Sequence, residues 1–433
     1  MSIKMKIEEI YQCYLQCSYV STDTRKIESN SLFIALKGDN YDANMYANEA
    51  ISKGALFVII DNKKYFTNKD KMILVENCLR TLQQLATFHR EALGLQVIAL
   101  TGSNGKTTTK ELINAVLSKK YNTKATVGNL NNHIGVPLTL LTFDENTDIG
   151  IVEMGANHQK EIEMLCNIAK PDFGYITNFG KAHLEGFGGI QGVIKGKSEI
   201  YNYIQENNKQ VFVNLDDPIQ VEKTNKLKLI SFGINKPKAS ININFVEANP
   251  YINISYHYIK IKSNLIGLYN ANNIFAAICI GSFFKVSDHD IKAGIESYIP
   301  ENNRSQIVSK KTNKIILDAY NANPSSMSLS IENFLQLEEK EKLIIIGDMF
   351  ELGAETDHEH KEIIKLLETN TKFESYLVGK YFYENKNNNE NFKFFKTFES
   401  LKTYMTENLP LNKLILIKGS RGMALERILE FLE

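Results

Sequence analysis

Short, mostly apolar runs that stop at glycine or polar residues recur along this chain, at residues 55–60, 97–100, 149–152, 173–176, 314–317, 343–346, 376–378 and 414–417. Runs this short and this apolar predict strands covered on both faces, as in parallel sheets. Helical spacing accompanies most of them, for example at 43–53 before the run at 55–60 and at 111–117 after the run at 97–100. Repeated strand–helix units predict an α/β protein built on doubly wound sheets. One stretch has another period: residues 239–245 and 251–261 alternate with period two around Asn249-Pro250, which predicts an antiparallel hairpin.

The same pattern divides the chain. An extended segment at 31–36, a helix at 43–53 and strands at 55–60 and 72–75 predict a small N-terminal α/β domain over residues 1–95. Residues 96–299 carry the strongest strand–turn–helix signals. The pattern breaks between Pro300 and Arg304, leaving residues 300–433 as a second doubly wound unit. For 433 residues, three domains agree with a usual size of about 150 residues each. The asparagine-rich run from Glu384 to Asn391 predicts an exposed loop.

The run at 97–100 leads into Thr101-Gly102-Ser103-Asn104-Gly105-Lys106-Thr107-Thr108 and then directly into helix. Glycines let the N–H groups of such a turn converge on an anion, and the helix N-terminus adds about half a positive charge. Lys106 can reach terminal phosphates, and Thr107 offers a hydroxyl to Mg²⁺. Full Walker spacing needs glycine at position 100, where this chain has Leu100, so the match is to the shorter Gly-x-x-Gly-Lys-Thr form. A nucleoside triphosphate site is expected here.

Charge and cysteine narrow the class. Lys plus Arg and Asp plus Glu number 50 each, which removes the general electrostatic footprint of a nucleic-acid or membrane-surface binder. Any bound phosphate must therefore be held by local groups. No run reaches about 18 apolar residues, and residues 1–20 lack the order of a secretory signal. Five cysteines without a Cys-x-x-Cys read as free thiols, so a soluble cytoplasmic protein is expected. Cys13 and Cys17, four apart, fit two buried positions on one helix face.

Ligands of open α/β sheets sit beyond the carboxyl ends of the strands, so Glu153, Asn178 and His183 are expected to converge on the phosphates. Glu153 reads as a Mg²⁺ ligand or a helix cap, and His183 as a ligand or a structural histidine. The segment 192–201, with Lys195 and Lys197, reads as a solvated helix face. Asn270 and Asn273 open a helix, where amides either read a base edge or cap. Ser21-Thr22-Asp23-Thr24-Arg25, beside the loop at 33–42, is either an anion site or an ordinary turn. In the last domain, polar clusters from Asp318, Gly347 and Lys418 onward follow three strand ends and predict a second binding face.

Several of these motifs together resemble the Mur ligase family, ATP-dependent amide-bond ligases of peptidoglycan precursor synthesis. They are Gly102-Ser103-Asn104-Gly105-Lys106-Thr107-Thr108, Glu153-Met154-Gly155-Ala156-Asn157, Thr177-Asn178 with Ala182-His183-Leu184-Glu185, and Asn270 with Asn273 before Ala276-Ala277. The resemblance covers essentially the whole chain. Gly128-Asn129-Leu130-Asn131-Asn132-His133-Ile134-Gly135-Val136-Pro137, Tyr320-Asn321-Ala322-Asn323-Pro324 and Gly347-Asp348-Met349-Phe350-Glu351-Leu352-Gly353 look like the member that adds D-alanyl-D-alanine to UDP-N-acetylmuramoyl-tripeptide.

The resemblance implies a small N-terminal α/β UDP-binding domain, a central P-loop ATPase-like domain with a mostly parallel sheet, and a C-terminal Rossmann-like domain. It implies ATP on Gly102, Ser103, Asn104, Gly105, Lys106, Thr107 and Thr108, adenine near Asn270 and Asn273, and Arg304, Asp318, Tyr320 and Asn321 reaching the nucleotide from the far side. Thr107, Glu153 and His183 would hold Mg²⁺, and Lys197 would carry a CO₂-derived carbamate, turning an ammonium into a carboxylate that supports a second Mg²⁺. Lys106, Glu153, His183 and Lys197 would be catalytic, and Thr24, Arg25, Asn129, Asn131, Asn132, Asn178 and Asp348 would contact substrate. Two departures stand out: Ser103 replaces a common threonine, and Asp42-Ala43-Asn44-Met45-Tyr46 replaces a usual Asp-Gly-His pattern. The implied enzyme is a monomer that forms an acyl phosphate on the tripeptide, with no nucleic-acid or membrane partner. Rival readings are a ligase of the same architecture that adds one amino acid, or glutamate to folate, and a nucleotide-switched binding protein.

Overall fold

A computed structural model describes residues 5–369 and 373–432. Its strands form three sheets and a two-stranded ribbon. In the nine-stranded central sheet, Gln96–Thr101 lies between Ile149–Glu153 and Phe173–Ile176 and runs parallel to both. The chain visits one side of Gln96–Thr101 first and the other later, so its carboxyl end is a topological switch point, where a crevice opens.

The continuous apolar run of this strand has a direct cause. Ile98 and Leu100 pack with the helices Lys106–Leu117 and Ala271–Phe283, while Val97 and Ala99 face the helices Cys78–Leu93 and Glu161–Ala169. All four strand residues are fully buried. With both faces covered, no polar alternation is possible.

The N-terminal sheet has four parallel strands, ordered Tyr19–Ser21, Ser31–Ile34, Ala55–Ile60 and Met72–Leu74, and the ribbon pairs Lys37–Gly38 with Tyr41–Asp42. Its long helix Cys78–Leu93 starts at Asn77, whose side chain accepts from the Arg80 N–H, and stops at Gly94, which has φ +63°. This helix is tied to the central sheet. Arg90 Nη2 reaches Asp172 at 2.7 Å, Thr87 Oγ1 donates to the Ile168 carbonyl at 3.0 Å, and Gln83 Nε2 donates to the His133 carbonyl at 3.1 Å. The C-terminal sheet runs Gln306–Lys310, Asn313–Asp318, Leu414–Lys418, Lys342–Gly347, Glu374–Val378 and Phe392–Phe395, parallel except for the first strand.

Several expectations change. Residues 251–261 are not one strand: Tyr251–Tyr256 and Ile259–Ile266 are separated by a turn at His257, with φ +49°. The period-two pattern runs through that turn and hides it. Residues 192–201 are not a solvated face, because the helices Ile190–Lys197 and Glu199–Glu206 bury Lys197 completely, leaving only Lys195 exposed. The first helix, Ile7–Tyr14, ends before Cys17, and both cysteines of that pair are half-buried. Among the described residues, no helix is long and apolar enough to cross a membrane.

Candidate active site

At the switch point the backbone bends sharply. Gly102 has φ +148°, and a Cβ there would lie 1.8 Å from Thr177 Oγ1 and 3.0 Å from the Thr177 backbone nitrogen. Gly105 has φ +77°, and a Cβ there would lie 2.5 Å from Asn273 Oδ1. Only glycine fits both places. The helix Lys106–Leu117 opens immediately afterwards without a side-chain cap, so its N-terminal N–H groups are left for an anion. Lys106 Nζ folds back to the Gly102 carbonyl at 2.7 Å, and burial pushes its ammonium below the ordinary lysine range.

Neighbouring strand ends hold the loop. Asn104 donates its N–H to Asn178 Oδ1 at 3.0 Å, and its carbonyl accepts from Thr177 Oγ1 at 2.6 Å and Asn178 Nδ2 at 2.9 Å. Ser103 Oγ donates to the Gly180 carbonyl at 2.8 Å. From the other side, Thr109 Oγ1 donates to Asn273 Oδ1 at 3.0 Å, Asn273 Nδ2 to Asn270 Oδ1 at 2.9 Å, and Asn270 Nδ2 to the Ile266 carbonyl at 2.9 Å. Both asparagines border the cleft, yet these amide contacts fasten the helix Ala271–Phe283 to the loop helix; neither side chain caps. Asn272, which the sequence reading passed over, is the exposed amide between them.

Glu153 is buried at the end of its strand. Its carboxylate accepts from Thr107 Oγ1 at 2.8 Å and from Asn131 Nδ2 at 2.8 Å, so it is no helix cap. A hydroxyl beside a carboxylate is a hard oxygen set that suits Mg²⁺. Among the described residues no three His, Cys, Asp or Glu side chains gather as ligands; the remaining positions around such an ion would fall to nucleotide oxygens and water, which Mg²⁺ accepts. His183 lines the same cleft, with its Nδ1 paired to Glu351 Oε2 across the chain's last boundary. Lys197 is buried and is not among the residues that border the cleft. Its Nζ is fully buried without a hydrogen-bond partner, 5.3 Å over the Phe187 ring, and burial followed by the charge of Lys106 lowers its pKa well below the ordinary value.

The opposite wall comes from the C-terminal sheet. Arg304 stacks on the Tyr320 ring at 3.6 Å, and Asp318 accepts from the Ser305 N–H at 3.1 Å while pairing with Lys418. These residues, Asn321 and Asn323 border one cleft of about 810 Å³ with Ser103 through Thr108. Lys418 and Asn323 are further residues that the sequence reading left unassigned; their signal was position, one at a strand end and one opening a helix.

Substrate expectations divide. Asn129, Asn131, Asn132 and Asn178 border the cleft, although Asn132 Oδ1 also accepts the N–H groups of Ile134 and Gly135. Asp348 does not reach it. Its carboxylate is 2% exposed and accepts the N–H groups of Tyr381 and Phe382, both at 3.0 Å, capping the helix Lys380–Glu384. Thr24 and Arg25 lie on the N-terminal domain outside this cleft, in the short helix Thr24–Lys26, where Arg25 is paired to Asp23 at 2.8 Å.

Residues 100–281 match the Mur ligase middle domain and residues 303–421 match the Mur ligase glutamate ligase domain. A UDP-N-acetylmuramoyl-tripeptide–D-alanyl-D-alanine ligase of Bacillus subtilis (strain 168) is 33% identical over 95% of this chain and 92% of its own. The crystal structure I of MurF from Acinetobacter baumannii superposes with a TM-score of 0.87 at 29% identity, covering 99% of this chain and 98% of its own. MurF ligase from Thermotoga maritima in complex with ADP has a TM-score of 0.81 at 27% identity, covering 97% of each chain. With two domain matches, near-complete coverage and the phosphate loop at its switch point, this chain belongs to the Mur ligase family.

Proposed function

We propose that this chain uses ATP and Mg²⁺ to join D-alanyl-D-alanine to the terminal carboxylate of UDP-N-acetylmuramoyl-tripeptide. One observation carries the reading: a glycine-built phosphate loop with Lys106 faces Arg304 across a single cleft. The named activity of the Bacillus subtilis relative supports the choice of substrates.

In the first step, a tripeptide carboxylate oxygen attacks the γ-phosphorus, the bond to ADP breaks, and an acyl phosphate forms. In the second, the dipeptide amine attacks the acyl carbon, loses a proton and expels phosphate. Lys106 and Arg304 offset the charge that develops on the phosphoryl oxygens. Thr107 and Glu153 would hold Mg²⁺, joined by His183 through Nε2, which accepts no described hydrogen bond. That ion supplies charge neutralisation at the phosphates.

Ser103 through Thr108 would cradle the phosphates, Asn270 and Asn273 would shape the adenine side, and Asp318, Tyr320 and Asn321 would close over the nucleotide. Asn129, Asn131, Asn132 and Asn178 would meet the tripeptide end. Residues 1–95 would hold the UDP-sugar, including Thr24 and, as a minor contact because Asp23 already pairs with it, Arg25, with 96–299 on ATP and 300–433 on the dipeptide; three separate sheets support this division. Lys197 would react as a neutral amine with CO₂, forming an N–C bond and releasing a proton. Its unpartnered, buried Nζ supports this, because a carboxylate there would find the neighbouring charge of Lys106. A ¹³C-bicarbonate NMR signal that vanishes in Lys197→Ala tests it. All five cysteines are free thiols, which supports the cytoplasm as the compartment; a monomer is the simplest working unit.

Mass spectrometry after incubation with ATP, Mg²⁺, UDP-N-acetylmuramoyl-tripeptide and D-alanyl-D-alanine should show the pentapeptide product. Phosphate release stimulated equally by free amino acids would favour a single-residue ligase. Nucleotide binding with no amide product would favour a switch protein.

A further inference from the structure

Among the described residues, Asn323 brings a side-chain hydrogen bond from the C-terminal domain to the phosphate loop. It opens the helix Pro324–Gln336, and its side chain divides two tasks. Its Oδ1 accepts the Ser326 N–H at 3.0 Å, with Ser326 Oγ returning a bond to the Asn323 N–H at 3.1 Å, a reciprocal cap. Its Nδ2 donates to Asn104 Oδ1 at 2.7 Å. Asn104 already has both backbone groups held by Thr177 and Asn178 of the central sheet, so Asn323 supplies the remaining restraint.

The surroundings make this contact specific. Gly180 leaves just enough room beside it: a Cβ at Gly180 would lie 3.1 Å from both Asn104 Nδ2 and Ser325 Oγ. Ser325, next to the cap, accepts the Lys181 N–H at 2.9 Å, and Lys181 Nζ reaches Glu359 at 2.6 Å. Thus the start of one C-terminal helix docks on the phosphate loop and on the segment after Asn178.

We propose that Asn323 is a positioning residue that acts through Asn104, holding the phosphate loop in the shape that receives the nucleotide. This rests on the ATP reading of the loop.

The test is a double-mutant cycle with Asn323→Ser and Asn104→Ala, reading the Kd of a non-hydrolysable ATP analogue and the KM for ATP. Serine keeps the helix cap but is too short to reach Asn104, so thermal melting should match the parent. In the parent background Asn323→Ser should weaken analogue binding about fivefold, the scale of one neutral hydrogen bond, and raise KM for ATP more than it lowers kcat. In the Asn104→Ala background the same change should have less than about a twofold effect. Equal penalties in both backgrounds, or none in either, overturn the proposal. A parent protein that does not bind the analogue overturns the ATP reading instead, which keeps the two failures apart. If Asn323→Ser lowers the melting temperature, Asn323→Thr, which also caps and likewise lacks the amide and any charge, takes its place in the cycle, judged by the same two criteria.

Discussion

Two regions of this chain pair glycine-punctuated turns with cationic side chains; the sequence reads the first as a place for an anion and the second as either that or an ordinary turn. At the phosphate loop, Lys106 hydrogen-bonds only a backbone carbonyl and Arg304 stacks on an aromatic ring; among the described residues no carboxylate forms a direct ion pair with either, and the Glu153 charge acts on Lys106 from a distance. At the N-terminal turn, Arg25 is bonded to Asp23, whose carboxyl this pairing holds down at about 2, and Lys37 pairs with Asp61 at 2.8 Å. Positive charge marks an anion site when it is left unmatched. Where a carboxylate already answers it, an incoming phosphate must displace that partner first.

The contrast can be broken most decisively at Lys106. Lys106→Ala should lower kcat/KM for ATP-dependent ligation at least about 10³-fold, the scale of lost transition-state charge stabilisation; near-parental turnover in a product assay would refute the assignment. Arg304→Ala should follow with about 10²-fold, and the loss should appear in kcat if this side chain acts on the transferring phosphoryl group. Stopped-flow or coupled phosphate assays would separate the two parameters.

At the N-terminal turn the expected effects concern stability. Burial pushes the Asp61 carboxyl up, but the Lys37 ammonium, the Cys78 N–H and Asn44 together hold it below the usual aspartate range. A carboxyl held down in the folded state stabilises above its unfolded value of about 3.9, and that contribution disappears as the pH falls through the folded value. Asp61→Asn should therefore cost about 2 kcal/mol at pH 7, and the deficit should shrink near pH 3 in urea titrations. A deficit that grows on acidification would contradict the pairing. The smallest effect belongs to Arg25, whose side chain is 86% exposed. Arg25→Ala should raise KM for the UDP-linked substrate less than about threefold; a rise beyond tenfold would show that the ligand does displace Asp23.

What could be read in advance follows from locality. The strand, turn and helix around Lys106 are contiguous in sequence, so run length, glycine spacing and the following helical pattern describe them together. Edge strands such as Thr123–Ala125, Gln306–Lys310 and Phe392–Phe395 carry partly exposed or mixed residues, and little apolar contrast marks them. Lys197 looked solvated because lysine normally is; its burial comes from Phe187, and from helices whose packing no local pattern records. Asp348 followed a strand end like Glu153 but was claimed by the N–H groups of a helix more than thirty residues later. Asn323 had no role that its position in the motif before Pro324 could reveal: it caps the helix it opens, and its second partner lies 219 positions away.

The backbone at Gly102 also limits how this sequence can drift. A side chain there meets the Thr177 hydroxyl, and removing that hydroxyl would still leave the Thr177 backbone nitrogen 3.0 Å away and a φ of +148°. No second-site change at position 177 can reopen the position. Ser103, one step along, is asked by its neighbours only for a hydroxyl, which it donates to the Gly180 carbonyl. Adjacent codons thus face opposite selection: one frozen by geometry that nothing elsewhere can relieve, the other free to exchange within a chemical class.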